Sequence, residues 1–254
     1  MSAVLGVIPA RLGSERLPRK PLHILAGRPL IEWVWRRASS IRVLDAVVVA
    51  TDSAEVADLC GRVGAAVELT ASAHDSGTER VAEVAARPSF AGYDVVVNVQ
   101  GDEPFLTDAQ VEGAVERVRA GWDVGTAAAP LRTLEAWRDP AVVKVVRDDA
   151  GGALYFSRAP IPHPRGADPS RSELASDRYL RHVGVYAFRP DALQRWVRLP
   201  ASPLERTERL EQLRPLAAGM GFGVAVVDAA DGGIDTPEDA RRAEERLRRA
   251  GVVT

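Results

Sequence analysis

The stretch VIPARLGSERLPRKPL, residues 7–22, decides how this chain is read. An apolar run at 4–8 ends in a segment too rich in Pro, Gly and charge to continue as a strand. A second apolar element carrying Leu30, Ile31, Val34 and Trp35 follows it. The pattern is strand, long basic loop, helix, with Arg11, Arg16, Arg19 and Lys20 in the loop and Pro9, Pro18 and Pro21 stiffening it. Open α/β sheets bind ligands on loops leaving the C-terminal ends of parallel strands, and four cations held there suit a polyanion. The competing reading is a solvated charged turn ahead of a helix. The prolines weigh against it, because they hold the cations together.

Working outward, Leu30, Ile31, Val34, Trp35 and Ala38 recur at helical spacing, with Pro29 placed for a first turn. The apolar run at 46–50 is a strand leading to a helix that Thr51, Asp52 or Ser53 can cap. A short strand at 65–69 precedes a loop and helix over 75–86, with Ser76 or Thr78 as cap. DVVVNV at 94–99 is nearly continuous in apolar residues, as a buried parallel strand is, and QGDEP at 100–104 ends it. A helix over 107–119 and a strand at 124–129 complete a mostly parallel, helix-covered sheet.

After Pro130 the rhythm changes. Segments at 142–147 and 153–157 flank DDAGG as a hairpin, and a Pro-rich loop fills 159–172. A strand at 182–189 and a helix at 191–197 follow. Leucines at 204, 210, 213 and 216 predict one helix over 203–218, either a dimer face or a stripe buried on its own sheet. Last come a strand at 222–227 and a helix opened by Thr236 and Pro237, with Asp235 in the turn before it. The second half reads as an insertion into one domain spanning 1–254: a nucleotide-binding part to about residue 130, a β-containing lobe over 131–220, and a return to the main sheet over 221–254.

Composition bounds the rest. The formal net charge is -2 with 27% charged residues, so nothing biases the whole chain toward nucleic acid or an anionic membrane. Cys60 is the only cysteine, which excludes an internal disulfide and a cysteine-based metal cluster; it reads as a small core residue. No apolar run approaches membrane-spanning length, and MSAVLGVIPAR reads as a first strand rather than a signal peptide, so a cytoplasmic protein without integral membrane association is expected. No glycine-rich dinucleotide turn follows the first strand, which disfavours a Rossmann dehydrogenase. The five tryptophans are scattered and read as packing groups.

An ordered set of motifs then resembles one family. IPAR at 8–11, RLP at 16–18, KPL at 20–22, ATDS at 50–53, SGTERVAEV at 76–84 and VNVQGDEP at 97–104 carry the first half. AVVKVV at 141–146, ALYFSRAPIP at 153–162, YLRHVGVYAFR at 179–189, PLERTERLEQLR at 203–214 and DTPED at 235–239 carry the second. Together they resemble the 3-deoxy-manno-octulosonate (Kdo) cytidylyltransferases of lipopolysaccharide biosynthesis. The resemblance implies a three-layer α/β/α sandwich, a Rossmann-like nucleotidyltransferase fold with a smaller β-containing sugar-side lobe. It implies CTP and Kdo as substrates, CMP-Kdo and pyrophosphate as products, Mg²⁺ as cofactor and a homodimer.

Such a reaction needs cations on the triphosphate, carboxylates on Mg²⁺ and a pocket for a sugar acid. By resemblance, Arg11 and Lys20 hold the phosphates with the backbone of Leu12, Gly13 and Ser14, and Asp102 and Asp235 hold the metal. Ser76, Gly77, Thr78, Arg80 and Gln100 lie beside the nucleotide. Gln100, Arg158, His182, Tyr186, Glu211 and Gln212 select the sugar, with His182 a substrate contact rather than a general base. Taken by themselves, Asp102, set directly after an apolar strand, suits a metal ligand with a cap as the competing reading, Asp235 suits a cap better, and His182 or Tyr186 suits packing. Glu103 is a weaker metal candidate, His163 and Arg165 are looser sugar-side candidates, and Arg16 either assists or holds the loop. The family usually has glycine before the lysine, where this chain has Arg19; the replacement argues against a glycine-specific backbone angle and places Arg19 away from the ligand.

Two alternatives stay open from sequence. A cytidylyltransferase for 8-amino-8-deoxy-Kdo or sialic acid would share the nucleotide half and differ near Arg158, His182 and Glu211. A noncatalytic CTP-binding protein would bind nucleotide without releasing pyrophosphate.

Overall fold

The computed structural model describes residues 2–14, 16–230 and 232–249. In chain order the elements are β1 (Val4–Ala10), a 3₁₀ turn (Lys20–Leu22), β2 (Ile24–Leu25), β3 (Arg28–Pro29), α1 (Leu30–Ser39), β4 (Ala46–Thr51), α2 (Ala54–Arg62), β5 (Ala66–Leu69), α3 (Gly77–Ala85), a second 3₁₀ turn (Pro88–Phe90) and β6 (Val95–Asn98). There follow α4 (Asp108–Arg119), β7 (Val124–Pro130), α5 (Leu134–Arg138), β8 (Lys144–Arg147), β9 (Ala153–Ser157), α6 (Arg171–Leu174), β10 (Leu180–Phe188), α7 (Pro190–Arg198), α8 (Pro203–Glu208), α9 (Leu213–Ala217), β11 (Phe222–Val226) and α10 (Pro237–Arg249). The chain forms two compact units, residues 1–107 with 231–254, and residues 108–230. The change of unit falls after Thr107, and α4, β7 and β11 belong with the second unit.

The first unit is built on the parallel order β6-β1-β4-β5. Every residue of β1 except Pro9 is buried, and all of β6 is buried, as the nearly unbroken apolar runs predict for strands covered on both faces. Ser53 caps α2 by accepting from Val56 N, and Ser76 caps α3 by accepting from Glu79 N. Of the candidates named for each helix, the serine closest to the first turn wins. Pro29 lies one residue earlier than expected: it is extended and precedes α1 instead of opening its first turn. Cys60 is a core residue, and burial pushes its thiol up to about 11.

The second unit is organised on β7. β11 runs parallel to β7, with Phe222 opposite Val124, and β10 runs antiparallel to it on the other side. β8 pairs with both β10 and β9, so the hairpin around DDAGG is present. Helix α4 packs so closely on β7 that a Cβ at Gly125 would sit 1.8 Å from Ala114 O; only glycine permits that approach. A bulge separates Val183 from Tyr186 in β10, where register against β7 shifts.

The continuous helix expected over 203–218 is two. α8 ends at Glu208, followed by Arg209, whose φ of 52° is left-handed, and α9 begins at Leu213. The leucine spacing alone did not reveal the break, because Leu204 is exposed whereas Leu210 and Leu213 are buried. Of the tryptophans, Trp33, Trp137 and Trp196 are buried. Trp122 lies against Gly152 and Gly223, where an added Cβ would approach its ring to 2.7 and 2.5 Å.

Candidate active site

The basic loop after β1 closes on two acids from far along the chain. Lys20 Nζ donates to Asp102 Oδ2 at 2.7 Å and to Asp235 Oδ1 at 2.8 Å. Arg16 adds a contact of 3.0 Å to Asp235 Oδ1. Burial alone would lower the Lys20 pKa, but the field of Asp102, its hydrogen bond and the corresponding pair from Asp235 outweigh that and raise it. The ammonium is therefore charged wherever the protein is folded near neutrality.

Each acid is placed by backbone. Asp102 follows the buried strand β6, and Gly101 beside it crosses the end of β1 so tightly that a Cβ would lie 2.6 Å from Pro9 O. Ile234 N donates to Asp102 O at 2.9 Å, tying the two acidic loops by main chain. Asp235 itself precedes α10. Asp239 Oδ2 accepts from Thr236 N at 2.9 Å and Thr236 Oγ1 at 2.7 Å, while Asp239 N donates back to Thr236 Oγ1 at 3.2 Å. That reciprocal arrangement fixes the helix entrance. Thr236 and Asp239 do the capping, so Asp235 is left for Lys20 and Arg16.

The donor set suits a hard divalent cation. Mg²⁺ is commonly held by one or two carboxylates with substrate phosphates and water completing its shell. Asp102 and Asp235 meet on one cation, the Lys20 ammonium. Among the described residues no group of three or more His, Cys, Asp or Glu is arranged as a metal cage, so a protein-only cage is not what these two acids offer.

The other nucleotide-side candidates divide. Ser76 spends its hydroxyl on the α3 cap, and Gly77 lies close to Pro9, whose Cγ would be 3.2 Å from an added Cβ. Arg80 is 2% exposed and serves the protein: Nη2 pairs with Asp52 Oδ2 at 3.1 Å, and Nη1 bonds Thr70 Oγ1 and Ala71 O. Thr78 is buried. Arg11 stands at the end of β1, exposed, with one long bond of 3.5 Å to Asp75 O. Leu12 O accepts from Ser14 N at 2.9 Å, and Ser14 Oγ accepts from Leu17 N at 3.4 Å, so residues 12–14 make a local turn. Gln100 O accepts from Glu103 N.

Arg19 departs from expectation. It holds φ 54° and ψ 36°, the left-handed conformation that glycine adopts freely, so the demand on the backbone persists although the glycine does not. Its guanidinium pairs with Glu55, away from Asp102 and Asp235.

All of these residues lie in the first unit, and the sugar-side candidates other than Gln100 lie in the second. The His182 ring packs edge-on to Phe156 at 5.0 Å and tilted against Tyr186 at 5.3 Å. Its Nε2 is 2.8 Å from Thr126 Oγ1. Burial pushes its pKa down to about 3, so the ring is neutral at physiological pH. Tyr186 and Gln212 are buried, Gln212 at the entrance to α9 with Glu211 before it. The Arg158 guanidinium is hydrogen-bonded to main-chain carbonyls. Its Nε donates to Glu208 O at 2.7 Å, Nη1 to Pro140 O at 2.9 Å and Nη2 to Arg209 O at 3.4 Å, bracing the end of α8. The looser candidates His163 and Arg165 lie in the Pro-rich loop before α6.

Two residues escaped the sequence reading. Glu208 accepts from Ser157 Oγ at 2.6 Å and Arg158 N at 2.9 Å, joining β9 to α8. Lys144 is fully buried and donates to Asp139 O, Val142 O and Arg158 O at 2.5–2.8 Å. Burial lowers the Lys144 pKa. A lone lysine inside the apolar run AVVKVV was the available signal.

The comparisons with known proteins identify the family. The cytidylyltransferase family model matches residues 5–222. A 3-deoxy-manno-octulosonate cytidylyltransferase of Gemmatimonas aurantiaca is 52% identical over 241 residues, covering 94% of this chain and 92% of that protein. That of Syntrophotalea carbinolica is 45% identical, covering 97% and 99%. Among solved structures, a CMP:2-keto-3-deoxy-manno-octonic acid synthetase complexed with CTP superposes with a TM-score of 0.88 at 38% identity, covering 98% of this chain and all of that one. A 4-diphosphocytidyl-2C-methyl-D-erythritol synthase from Anaerococcus prevotii, 15% identical with a TM-score of 0.60, shares the α/β fold. With a family model spanning most of its length and relatives this similar end to end, the chain belongs to the cytidylyltransferases, within the 3-deoxy-manno-octulosonate cytidylyltransferase family.

Proposed function

We propose that the chain transfers CMP from CTP to 3-deoxy-manno-octulosonate, releasing pyrophosphate and forming CMP-Kdo. The observation that carries this reading is the meeting of Asp102 and Asp235 on Lys20 after the basic loop, in a chain whose relatives bear that activity in their names.

The roles follow from charge and position. Arg11 and Lys20 draw the triphosphate to the end of β1, aided by main-chain donors over 12–14. Asp102 and Asp235 hold Mg²⁺, which when bound offsets charge developing on the phosphates and eases deprotonation of the attacking sugar hydroxyl. Because the two acids already attract one cation, Lys20 balances their charge before metal and nucleotide arrive. Gln100 and the segment 76–80 flank the nucleotide, with Arg80 acting through the Asp52 pair that holds the start of α3. On the sugar side His182, Tyr186, Glu211 and Gln212 present hydrogen-bonding groups to the hydroxyls. Arg158 shapes that side by holding the end of α8.

A homodimer in the cytoplasm, feeding lipopolysaccharide biosynthesis, completes the proposal on the strength of the family. No helix among the described residues is long and apolar enough to cross a membrane.

The test is pyrophosphate release with CTP and Mg²⁺, comparing Kdo, 8-amino-8-deoxy-Kdo, N-acetylneuraminate and no sugar. Release with Kdo alone is expected. Release only with another acid moves the substrate assignment, and none with any sugar refutes the transfer. Sedimentation of the same preparation tests the dimer.

A further inference from the structure

Thr126 stands within β7, fully buried in a run that over 124–129 is otherwise Gly, Ala and Val. Its hydroxyl lies 2.8 Å from Val185 O, 3.3 Å from Val183 O and 2.8 Å from His182 Nε2. The bulge in β10 creates this meeting. Val183 pairs with Ala127 and Tyr186 with Thr126, so three steps along β10 answer one step along β7. The carbonyls of Val183 and Val185 are thereby both brought onto one hydroxyl.

A threonine hydroxyl has one proton and can accept as well as donate, whereas a carbonyl oxygen only accepts. The proton must therefore go to a carbonyl; giving it to the imidazole would leave two oxygens facing Val185 O across 2.8 Å with no proton between them. With that proton spent, Oγ1 can only accept from the ring, and Nε2 must carry the hydrogen. The sequence of bonds is His182 Nε2–H to Thr126 Oγ1–H to Val185 O. A neutral imidazole protonated on Nε2 has its lone pair on Nδ1.

We propose that Thr126 is a positioning residue that fixes His182 as the Nε2-protonated tautomer, so that Nδ1 accepts a hydrogen bond from a hydroxyl of the sugar acid. This rests on the sugar-side role given to His182 above and adds its direction: the ring receives a proton from the substrate's hydroxyl instead of donating one. A sugar bearing an ether or keto oxygen at that position would find no donor on the ring and would be discriminated against.

The experiment has two independent readouts. Long-range ¹H–¹⁵N correlation on the whole protein assigns the protonated nitrogen of His182. In the wild type, protonation on Nε2 is expected; a ring protonated on Nδ1 overturns the proposal whatever the sugar. Thr126→Val removes the hydroxyl at nearly constant shape. It is expected to raise KM for Kdo roughly tenfold, the scale of one neutral hydrogen bond, with kcat and the KM for CTP near wild type. Thr126→Ser, which keeps the hydroxyl, is expected to restore both the Nε2 signature and the KM. If Thr126→Ser folds and keeps the signature while its KM stays as high as that of Thr126→Val, the tautomer does not govern sugar binding and the proposal fails. Wild-type protein with the Nε2 signature but no Kdo turnover refutes the function proposed above and the sugar half of this inference, while the Thr126–His182 bond stands.

Discussion

Asp102 and Asp235 are held together through one ammonium and one main-chain bond. Lys20 Nζ reaches both carboxylates within 2.8 Å, and Ile234 N binds Asp102 O at 2.9 Å. The main-chain bond makes the pairing a property of the loops, so it survives loss of either carboxylate's charge. Asp102→Asn should consequently fold with a melting temperature near wild type. Its turnover should fall at least about a hundredfold, as when a group that stabilises developing charge is removed. Circular dichroism with pyrophosphate release separates the two effects, and turnover close to wild type would remove Asp102 from the reaction.

Gly101→Ala tests the placement of Asp102 without touching its charge. A Cβ there would sit 2.6 Å from Pro9 O, a main-chain atom of β1 that cannot swing aside. The loop has to shift, at a cost of about 1–3 kcal/mol. Asp102 then leaves its position relative to Lys20. The expected outcome is a lower midpoint in urea together with reduced turnover, and a variant equal to wild type in both would show that the loop has slack.

At Arg19 the expected direction is the opposite. The residue pays for a left-handed backbone, φ 54°, that an L side chain occupies at a cost of about 1 kcal/mol. It receives in return only an exposed pair with Glu55, and such pairs contribute little. Arg19→Gly should raise stability by up to about 1 kcal/mol and leave turnover unchanged. A loss of turnover would place Arg19 against the ligand.

How much was legible depended on where the information lay. The parallel strands and their loops followed from continuous apolar runs such as VVVN in β6, since burial on both faces leaves no other pattern. Asp102 was legible from its place directly after an apolar strand, whereas Asp235 came from resemblance, its own residues favouring a cap, and only the fold shows Thr236 and Asp239 doing the capping. Arg80 and Arg158 show the opposite limit. By resemblance Arg80 lies beside the nucleotide and Arg158 on the sugar side; in the fold each guanidinium is also hydrogen-bonded to groups distant in sequence, Asp52 in one case and the carbonyls of Pro140, Glu208 and Arg209 in the other. An arginine's chemistry is written in its type, but its partner is fixed by tertiary structure. The break over 209–212 was hidden for a similar reason: the leucine spacing runs on across four residues that leave the helix.

Arg158 supplies a prediction of its own. Arg158→Met keeps much of the side-chain length and removes three donors, leaving Glu208 O and Arg209 O at the end of α8, and Pro140 O, without them. The expected loss is about 1 kcal/mol in chemical denaturation, because only the bond to Glu208 O is partly buried and the other two are exposed. A variant as stable as wild type but with a large rise in KM for the sugar acid would return Arg158 to the direct carboxylate role.

The depressed pKa of His182 makes stability depend on acid. In the unfolded chain the imidazole takes a proton near its ordinary value of 6.5; in the folded protein, burial holds it neutral down to about 3. Between those values the unfolded state binds the extra proton, so stability must fall as pH falls, by at most about 1.4 kcal/mol per unit. Above pH 7 the group contributes no pH dependence, and below about 3 its effect levels off. Denaturation midpoints of wild type and His182→Gln, measured from pH 7 to pH 4, should therefore diverge, with the wild type losing stability faster. Phe156 and Tyr186 pack on the ring and Thr126 is its hydrogen-bond partner. None of the three carries charge in that range, so the divergence is assigned to the imidazole. Parallel curves would mean that the ring takes its proton in the folded state near the ordinary value, and that water reaches it.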